Sequence, residues 1–219
     1  MSVISYLKTV SNFKLRFMKK SFGNKSFSLL DVGSGNHSAS RITSLFPHCK
    51  YYGIDREKTY NNDENDFAAM SDFYELDLTA LNFSAIPDNF FDGIWMAHVI
   101  EHLHNGDAVL PGLLQKLRSG GYFYIEYPGA ISTKLPSMKG TLNFYDDDTH
   151  VRIYSVKELK KIFEDNGCSV LSCGVRRNWF YIISLPLRAL LSFKKNGYVQ
   201  GNVFWDLMGF AEYLWVIKK

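Results

Sequence analysis

The sequence predicts an α/β fold: a doubly wound, mostly parallel seven-stranded sheet with helices on both faces. Three observations carry this. Strand-like apolar runs alternate with helix-like segments along most of the chain, the order of successive β-α units. The first run, Leu29-Leu30-Asp31-Val32, contains an acidic residue and enters the turn Gly33-Ser34-Gly35, with a helix-competent segment behind it. Twenty residues after Gly35, a second run, Tyr51-Tyr52-Gly53-Ile54, ends in Asp55. Glycine permits the tight turn and close backbone approach that a nucleotide-type cofactor needs, and an acid ending the second strand is placed to hydrogen-bond both hydroxyls of a ribose.

Residues 1–24 read as a basic amphipathic helix. Val3, Leu7, Val10 and Phe17 recur at helical spacing, and the chain up to Leu30 carries Lys8, Lys14, Arg16, Lys19, Lys20 and Lys25 with no acid. Such a helix packs on the domain, covers the cofactor cleft or lies on an anionic membrane surface. No secretory leader is expected, because lysines interrupt the apolar residues. Strands are expected near 27–32, 50–54, 72–76, 91–96, 121–127, 169–175 and 210–217, and helices near 37–46, 106–118 and 156–166. Gly120-Gly121 reads as the stop of the second of these helices. Ser155 and Glu158 read as a capping box opening the third. Residues 176–209 form an apolar insertion. Its Trp179–Phe193 stretch is too short, and too interrupted by Pro186 and Arg188, to span a bilayer. It is suited to roof an acceptor site or meet a greasy partner, with core packing or a dimer contact as the plainer readings.

Composition sets the outer limits. A chain of 219 residues, 46% hydrophobic and 16% aromatic, can bury one full core, so residues 1–219 read as a single domain. A net charge of +3 is too weak to make nucleic acid the expected partner. Cys49, Cys168 and Cys173 are odd in number and lack the paired spacing of zinc sites, which suits reduced thiols in a cytoplasmic protein.

Five segments then carry a resemblance. Leu29–Gly35, Asp55, Glu75-Leu76-Asp77-Leu78, the run Phe91–His102 and Leu117-Arg118-Ser119-Gly120-Gly121 occur in that order across residues 25–175. Together they resemble the successive motifs of class I S-adenosylmethionine-dependent methyltransferases of the small-molecule type. The resemblance implies a Rossmann-like sheet and S-adenosyl-L-methionine as cofactor. It further implies that Asp31, Gly33 and Gly35 shape the pocket for the methionine part, that Asp55 holds the ribose, and that Asp77 and Leu78 sit at the adenine. Ala97 and His98 would face the sulfonium and the incoming acceptor. The chain departs from the family's commonest pattern at His37, where a third glycine often stands. Ser38, where a dinucleotide fingerprint wants glycine or alanine, counts against a nicotinamide dehydrogenase.

His98-Val99-Ile100-Glu101-His102 also satisfies the H-x-x-E-H pattern of inverted zinc proteases. Two histidines four apart share a metal only on one helix face. Here Phe91–Ala97 reads as a strand ending at His98, so no metal is expected. Methyl transfer from a sulfonium is an in-line displacement in which the protein aligns the reactants, with a base added when the acceptor is a hydroxyl. His150 and His98 are the candidate bases. His150-Val151-Arg152-Ile153-Tyr154-Ser155 falls on the face where doubly wound sheets bind ligands. There Arg152 could clamp a carboxylate or phosphate, or bridge to Asp146-Asp147-Asp148, and Tyr154 is a further substrate-binding candidate. The proline pair that grips planar amines in N-methyltransferases is missing after the fourth strand. The expected reaction is therefore methylation of a hydroxyl on a small molecule, sugar or lipid-linked intermediate. A non-catalytic member of the fold, or an N-methyltransferase, is the alternative. The expected partners are that acceptor and, at the periphery, a membrane surface.

Overall fold

The computed structural model describes residues 12–219. Val3, Leu7, Val10 and Lys8 of the expected N-terminal helix lie outside them. The first described helix, α1 (Phe13–Phe22), is capped by Asn12, whose side chain accepts from the Leu15 amide.

The strands are β1 (Phe27–Val32), β2 (Cys49–Asp55), β3 (Met70–Glu75), β4 (Phe91–Ala97), β5 (Leu117–Pro128), β6 (Cys168–Val175) and β7 (Ala211–Lys218). They form one sheet in the order β3-β2-β1-β4-β5-β7-β6. β1 to β5 pair in parallel, and β7 inserts antiparallel between β5 and β6. The order reverses at β1, leaving a crevice beyond the carboxyl ends of β1 and β4, the switch point where open α/β sheets take ligands.

Alternate residues on each central strand point to opposite faces, and both faces are covered. Leu29, Trp95 and Tyr124 pack against α1 and α2 (Ser38–Leu45). Leu30, Ile94, Met96 and Ile125 pack against α4 (Gly106–Lys116) and α5 (Val156–Asp165). Phe13, Leu15, Met18 and Phe22 bury the apolar stripe of α1, and Phe22 stacks on Phe27 with centroids 4.1 Å apart. A short helix not expected from the sequence, α3 (Glu64–Ala69), is opened by a reciprocal cap between Asp63 and Asp66. The insertion folds into α6 (Trp179–Ile183), α7 (Leu185–Asn196) and α8 (Trp205–Met208).

Two local expectations are corrected. The helix expected over 106–118 ends at Lys116, and Leu117 already belongs to β5. Gly120 does not stop it. Its φ of 76° lies within the strand, where pairing with β4 jumps from Leu117 to Tyr122. The Ser155–Glu158 box is half made: Ser155 accepts from the Glu158 amide, but the Glu158 carboxylate is taken by Arg152 Nη2 at 2.7 Å.

Candidate active site

The expected cofactor residues gather at the carboxyl ends of β1, β2 and β3. Gly33 has φ 77°, and a Cβ there would fall 2.4 Å from Val99 Cγ2, so the turn admits no side chain. Asp55, at the tip of β2, is half-buried, and its Oδ1 accepts from the Arg56 amide at 2.8 Å. Burial raises its pKa, against hydrogen bonds from the Arg56 and Glu57 backbone. A half-buried carboxylate at this strand end fits the vicinal hydroxyls of a ribose. Asp77 is exposed beyond β3, where one oxygen caps the following turn through the Thr79 amide and hydroxyl. Hydrogen bonds from Thr79 hold its pKa low.

Other members of the expected set lie behind this edge. Asp31 is buried, and its Oδ2 accepts from Ser38 Oγ at 2.5 Å and Tyr51 Oη at 2.6 Å, so it braces the turn against α2 and β2. Leu78 is buried in the α4-side core. Gly35 lies under Tyr60, whose ring would meet an added Cβ at 2.7 Å. His37, in the left-handed conformation, pairs with buried Asp66 at 2.6 Å. The side chain that replaces a third glycine is thus turned from the crevice into a structural ion pair.

A second cleft opens beside β4 and β5. It is lined by Asn12, Phe13 and Lys14 at the start of α1, Ala97 and His98 at the tip of β4, and Glu126 of β5. Arg176, Tyr181, Trp205 and Asp206 of the insertion complete it. The insertion therefore roofs this cleft. His98 has φ 57°, and its amide donates to the Glu126 carbonyl at 2.8 Å. Its ring lies between two buried carboxylates: Nε2 is 3.1 Å from Glu126 Oε1, and Nδ1 is 3.3 Å from Glu101 Oε1. Trp205 covers the ring with centroids 4.9 Å apart. Burial would lower the pKa of His98, but the paired glutamates outweigh it and hold it up at about 9.

Glu126 is shared further. Its Oε2 accepts from Tyr124 Oη at 2.5 Å and its Oε1 from Arg176 Nη1 at 2.7 Å. Arg176 also donates Nε and Nη2 to the two oxygens of Asp206, at 3.1 and 3.0 Å. Burial pushes Glu126 up, but Arg176 and His98 keep it well below the usual carboxylate range. Glu126, Arg176, Asp206 and Trp205 were not expected from the sequence. The available signal was a lone charge inside an apolar strand, Tyr124-Ile125-Glu126-Tyr127, and another inside Phe204-Trp205-Asp206-Leu207-Met208. Isolated buried charges of this kind require partners.

His150 lies behind Glu101, not on the cleft wall. Its Nδ1 donates to the Phe144 carbonyl at 2.6 Å, leaving Nε2 4.0 Å from Glu101 Oε1. Glu101 is buried, and neither of its carboxylate oxygens makes a hydrogen bond among the described residues. Glu101, His102 and His150 each offer a ligand-capable atom within 4.8 Å of the others, as do His37, Asp63 and Asp66. The Val151 and Arg152 amides donate to the Glu101 carbonyl, pinning the two segments together.

The substrate roles expected of Arg152 and Tyr154 do not match their surroundings. The Arg152 guanidinium is taken by Asp107 at 2.9 Å and Glu158 at 2.7 Å, not by the aspartate run. Tyr154 is buried in the core, with its hydroxyl donating to the Leu103 carbonyl and accepting from the Gly106 amide. Arg152 ties the loop to α4 and α5, and Tyr154 ties it to the start of α4. Asp146 is equally occupied, accepting from Ser137 Oγ and the Met138, Leu142 and Asn143 amides.

Comparison with known proteins gives this geometry a family. The family described as a methyltransferase domain matches residues 6–173. The fold is similar to an S-adenosylmethionine-dependent methyltransferase from Mesorhizobium loti (12% identity, 94% of this chain and 96% of that one, TM-score 0.66). It is also similar to one from Archaeoglobus fulgidus (17% identity, 98% and 94%, TM-score 0.59). A third similar structure is phosphoethanolamine N-methyltransferase 2 of Haemonchus contortus in complex with S-adenosyl-L-methionine (15% identity, 93% and 51%, TM-score 0.63). No curated protein sequence matches. With the glycine turn at β1, the acid ending β2 and the methyltransferase strand motifs all in place, the chain belongs to the methyltransferase-domain family and is an S-adenosylmethionine-dependent methyltransferase.

Proposed function

We propose that the acceptor atom is oxygen, on a hydroxyl of a small molecule, sugar or lipid-linked intermediate, and that His98 is the base. The observation carrying this is the His98 imidazole on the wall of the cleft at the tip of β4, clamped between Glu126 and Glu101. S-adenosylmethionine supplies the methyl group on its sulfonium, with Asp55 at the ribose and Asp77 at the adenine. A hydroxyl must lose a proton as its carbon–oxygen bond forms, whereas a neutral amine can attack first and lose one afterwards. The ring nitrogens face Glu126 and Glu101, so neutral His98 takes that proton on a nitrogen that turns from its carboxylate to the acceptor hydroxyl. Glu101 Oε1, 3.3 Å from Nδ1, is the nearest carboxylate to receive the proton afterwards, and His150 Nε2 stands 4.0 Å beyond it, outside hydrogen-bond reach. His150 on this reading lies behind Glu101 and does not meet the acceptor.

The test uses labelled cofactor and a panel of hydroxyl-bearing sugars and lipid-linked glycans, with the product read as a methyl ether. His98→Gln should lower kcat by about 10²–10⁴-fold with little change in S-adenosylhomocysteine affinity. An N-methyl product, or full kcat in the variant, overturns the reading. A related expectation separates a proton path from a cation site at Glu101, His102 and His150: dialysis against a chelator leaves turnover unchanged. Activity lost on dialysis and restored by a divalent metal would replace the path with a metal centre.

A further inference from the structure

We infer that the outer face of α6 and α7 is a docking surface for an anionic lipid bilayer. Trp179, Phe180, Ile183, Leu187, Leu190 and Leu191 are each at least 50% exposed, and no residue of either helix is buried. On α7, Leu187, Leu190, Leu191 and Lys194 fall at i, i+3, i+4 and i+7, which is one helical stripe. An apolar stripe of this kind left in water is the mark of an interaction surface, since monomers seldom expose contiguous apolar patches of more than a few hundred Å².

Charge selects the partner. Residues 176–205 contain five arginines and lysines and no acid. Arg176 and Arg188 are occupied inside the arm, the former by Glu126 and Asp206 and the latter by the Tyr181 and Val203 carbonyls. Lys194 and Lys195 close α7 with no ion pair among the described residues, and Lys139 stands nearby over the Tyr198 ring. Exposed leucine, isoleucine, phenylalanine and tryptophan flanked by lysine are what an interfacial helix presents to acyl chains and anionic headgroups. No described helix is long and apolar enough to cross a membrane, so the contact is one of lying on the surface. Tyr181 of the same arm lines the acceptor cleft, which places the cleft beside the docked face. This deepens the lipid-linked branch of the proposed function without depending on the acceptor atom being oxygen.

The experiment is co-sedimentation of the full chain with phosphatidylcholine vesicles, with and without phosphatidylglycerol. The same samples are assayed for S-adenosylhomocysteine binding and thermal unfolding. Binding is expected on the anionic vesicles only, falling with added salt. Leu187→Ser with Leu191→Ser should abolish it, and Lys194→Ala with Lys195→Ala should weaken it roughly fivefold per lysine, both with unchanged unfolding and cofactor binding. Absence of binding to anionic vesicles at low salt overturns the inference. So does binding indifferent to these four substitutions, which would hand it to another segment. A concentration-dependent dimer that the leucine variants dissolve would make a second copy of the chain the occupant, and also overturns it. Cofactor affinity and the chemical form of the product are read separately, so failure of docking is distinguishable from failure of the oxygen assignment.

Discussion

Two helical arms, α1 and α7, are built from the same ingredients and used in opposite ways. Each is basic, each carries an apolar stripe, and each ends in a pair of lysines: Lys19 and Lys20 in α1, Lys194 and Lys195 in α7. α1 turns its stripe inward, with Leu15 and Met18 fully buried and Phe22 wedged against β4, where a Cβ on Gly93 would fall 2.7 Å from its ring. α7 buries nothing. Composition and periodicity alone therefore do not say whether an amphipathic helix serves the core or a surface. The deciding fact is whether a neighbouring element offers a complementary gap, and only the tertiary structure contains it.

Substitutions in the two arms should separate these roles. Arg176→Ala removes the cation joining the insertion to the sheet and leaves Glu126 and Asp206 buried without it. It should cost about 3–5 kcal/mol in denaturant unfolding and weaken acceptor binding together with stability. Phe22→Ala should be of the same order, about 3–5 kcal/mol, because the gap between Phe27 and Trp95 cannot close around alanine. If α1 were a surface helix in the manner of α7, that loss would vanish. Asp55→Ala, remote from both arms, should weaken S-adenosylhomocysteine affinity by about 1–3 kcal/mol in calorimetry and leave unfolding nearly unchanged. Leu187→Ser should change unfolding least, within about 0.5 kcal/mol, as a surface position does.

The histidine at the tip of β4 gives a pH signature of its own. His98 is raised in the folded state from the ordinary 6.5 to about 9. A raised histidine stabilises fully below the unfolded value, and that contribution is lost as pH climbs through the folded one. Stability should thus decline between pH 6.5 and 9. Over the same interval turnover should rise, because the neutral imidazole is the base. His98→Gln should flatten both profiles. A turnover optimum at or below neutral pH would remove His98 from the base role and leave it as a fixed cation.

Much of the frame was legible because it is written in local chemistry. The alternation of apolar runs located all seven strands, and the turn at Gly33 and the acid at Asp55 fall at the carboxyl edge of the sheet, as the strand pattern implied. What was not legible depended on partners far away in sequence. Arg152 offered two readings, and the residues that hold it, Asp107 and Glu158, belonged to neither. Tyr154 carries a polar group and reads as a ligand contact until Leu103 and Gly106 are seen to satisfy it. Glu126 and Asp206 each sit in an apolar run, and their meeting across Arg176 spans the end of β5, the end of β6 and the start of α8. Of the two histidines, His98 reached the cleft because β4 ends there, while His150 was drawn behind Glu101 by the Phe144 carbonyl.

The place of β7 bears on how the chain is made. In the order β5-β7-β6, a strand synthesised after both of its neighbours lies between them, and among the described residues β6 has no other partner in the sheet. Until Ala211–Lys218 has left the ribosome, β5 presents an open edge, β6 lacks its partner, and the apolar helices between β6 and β7 are made before the sheet closes. Translation of β7 is thus the step that heals two edges at once. A nascent chain stalled or clipped before it would be a target for edge-to-edge aggregation and for chaperones that hold exposed strands.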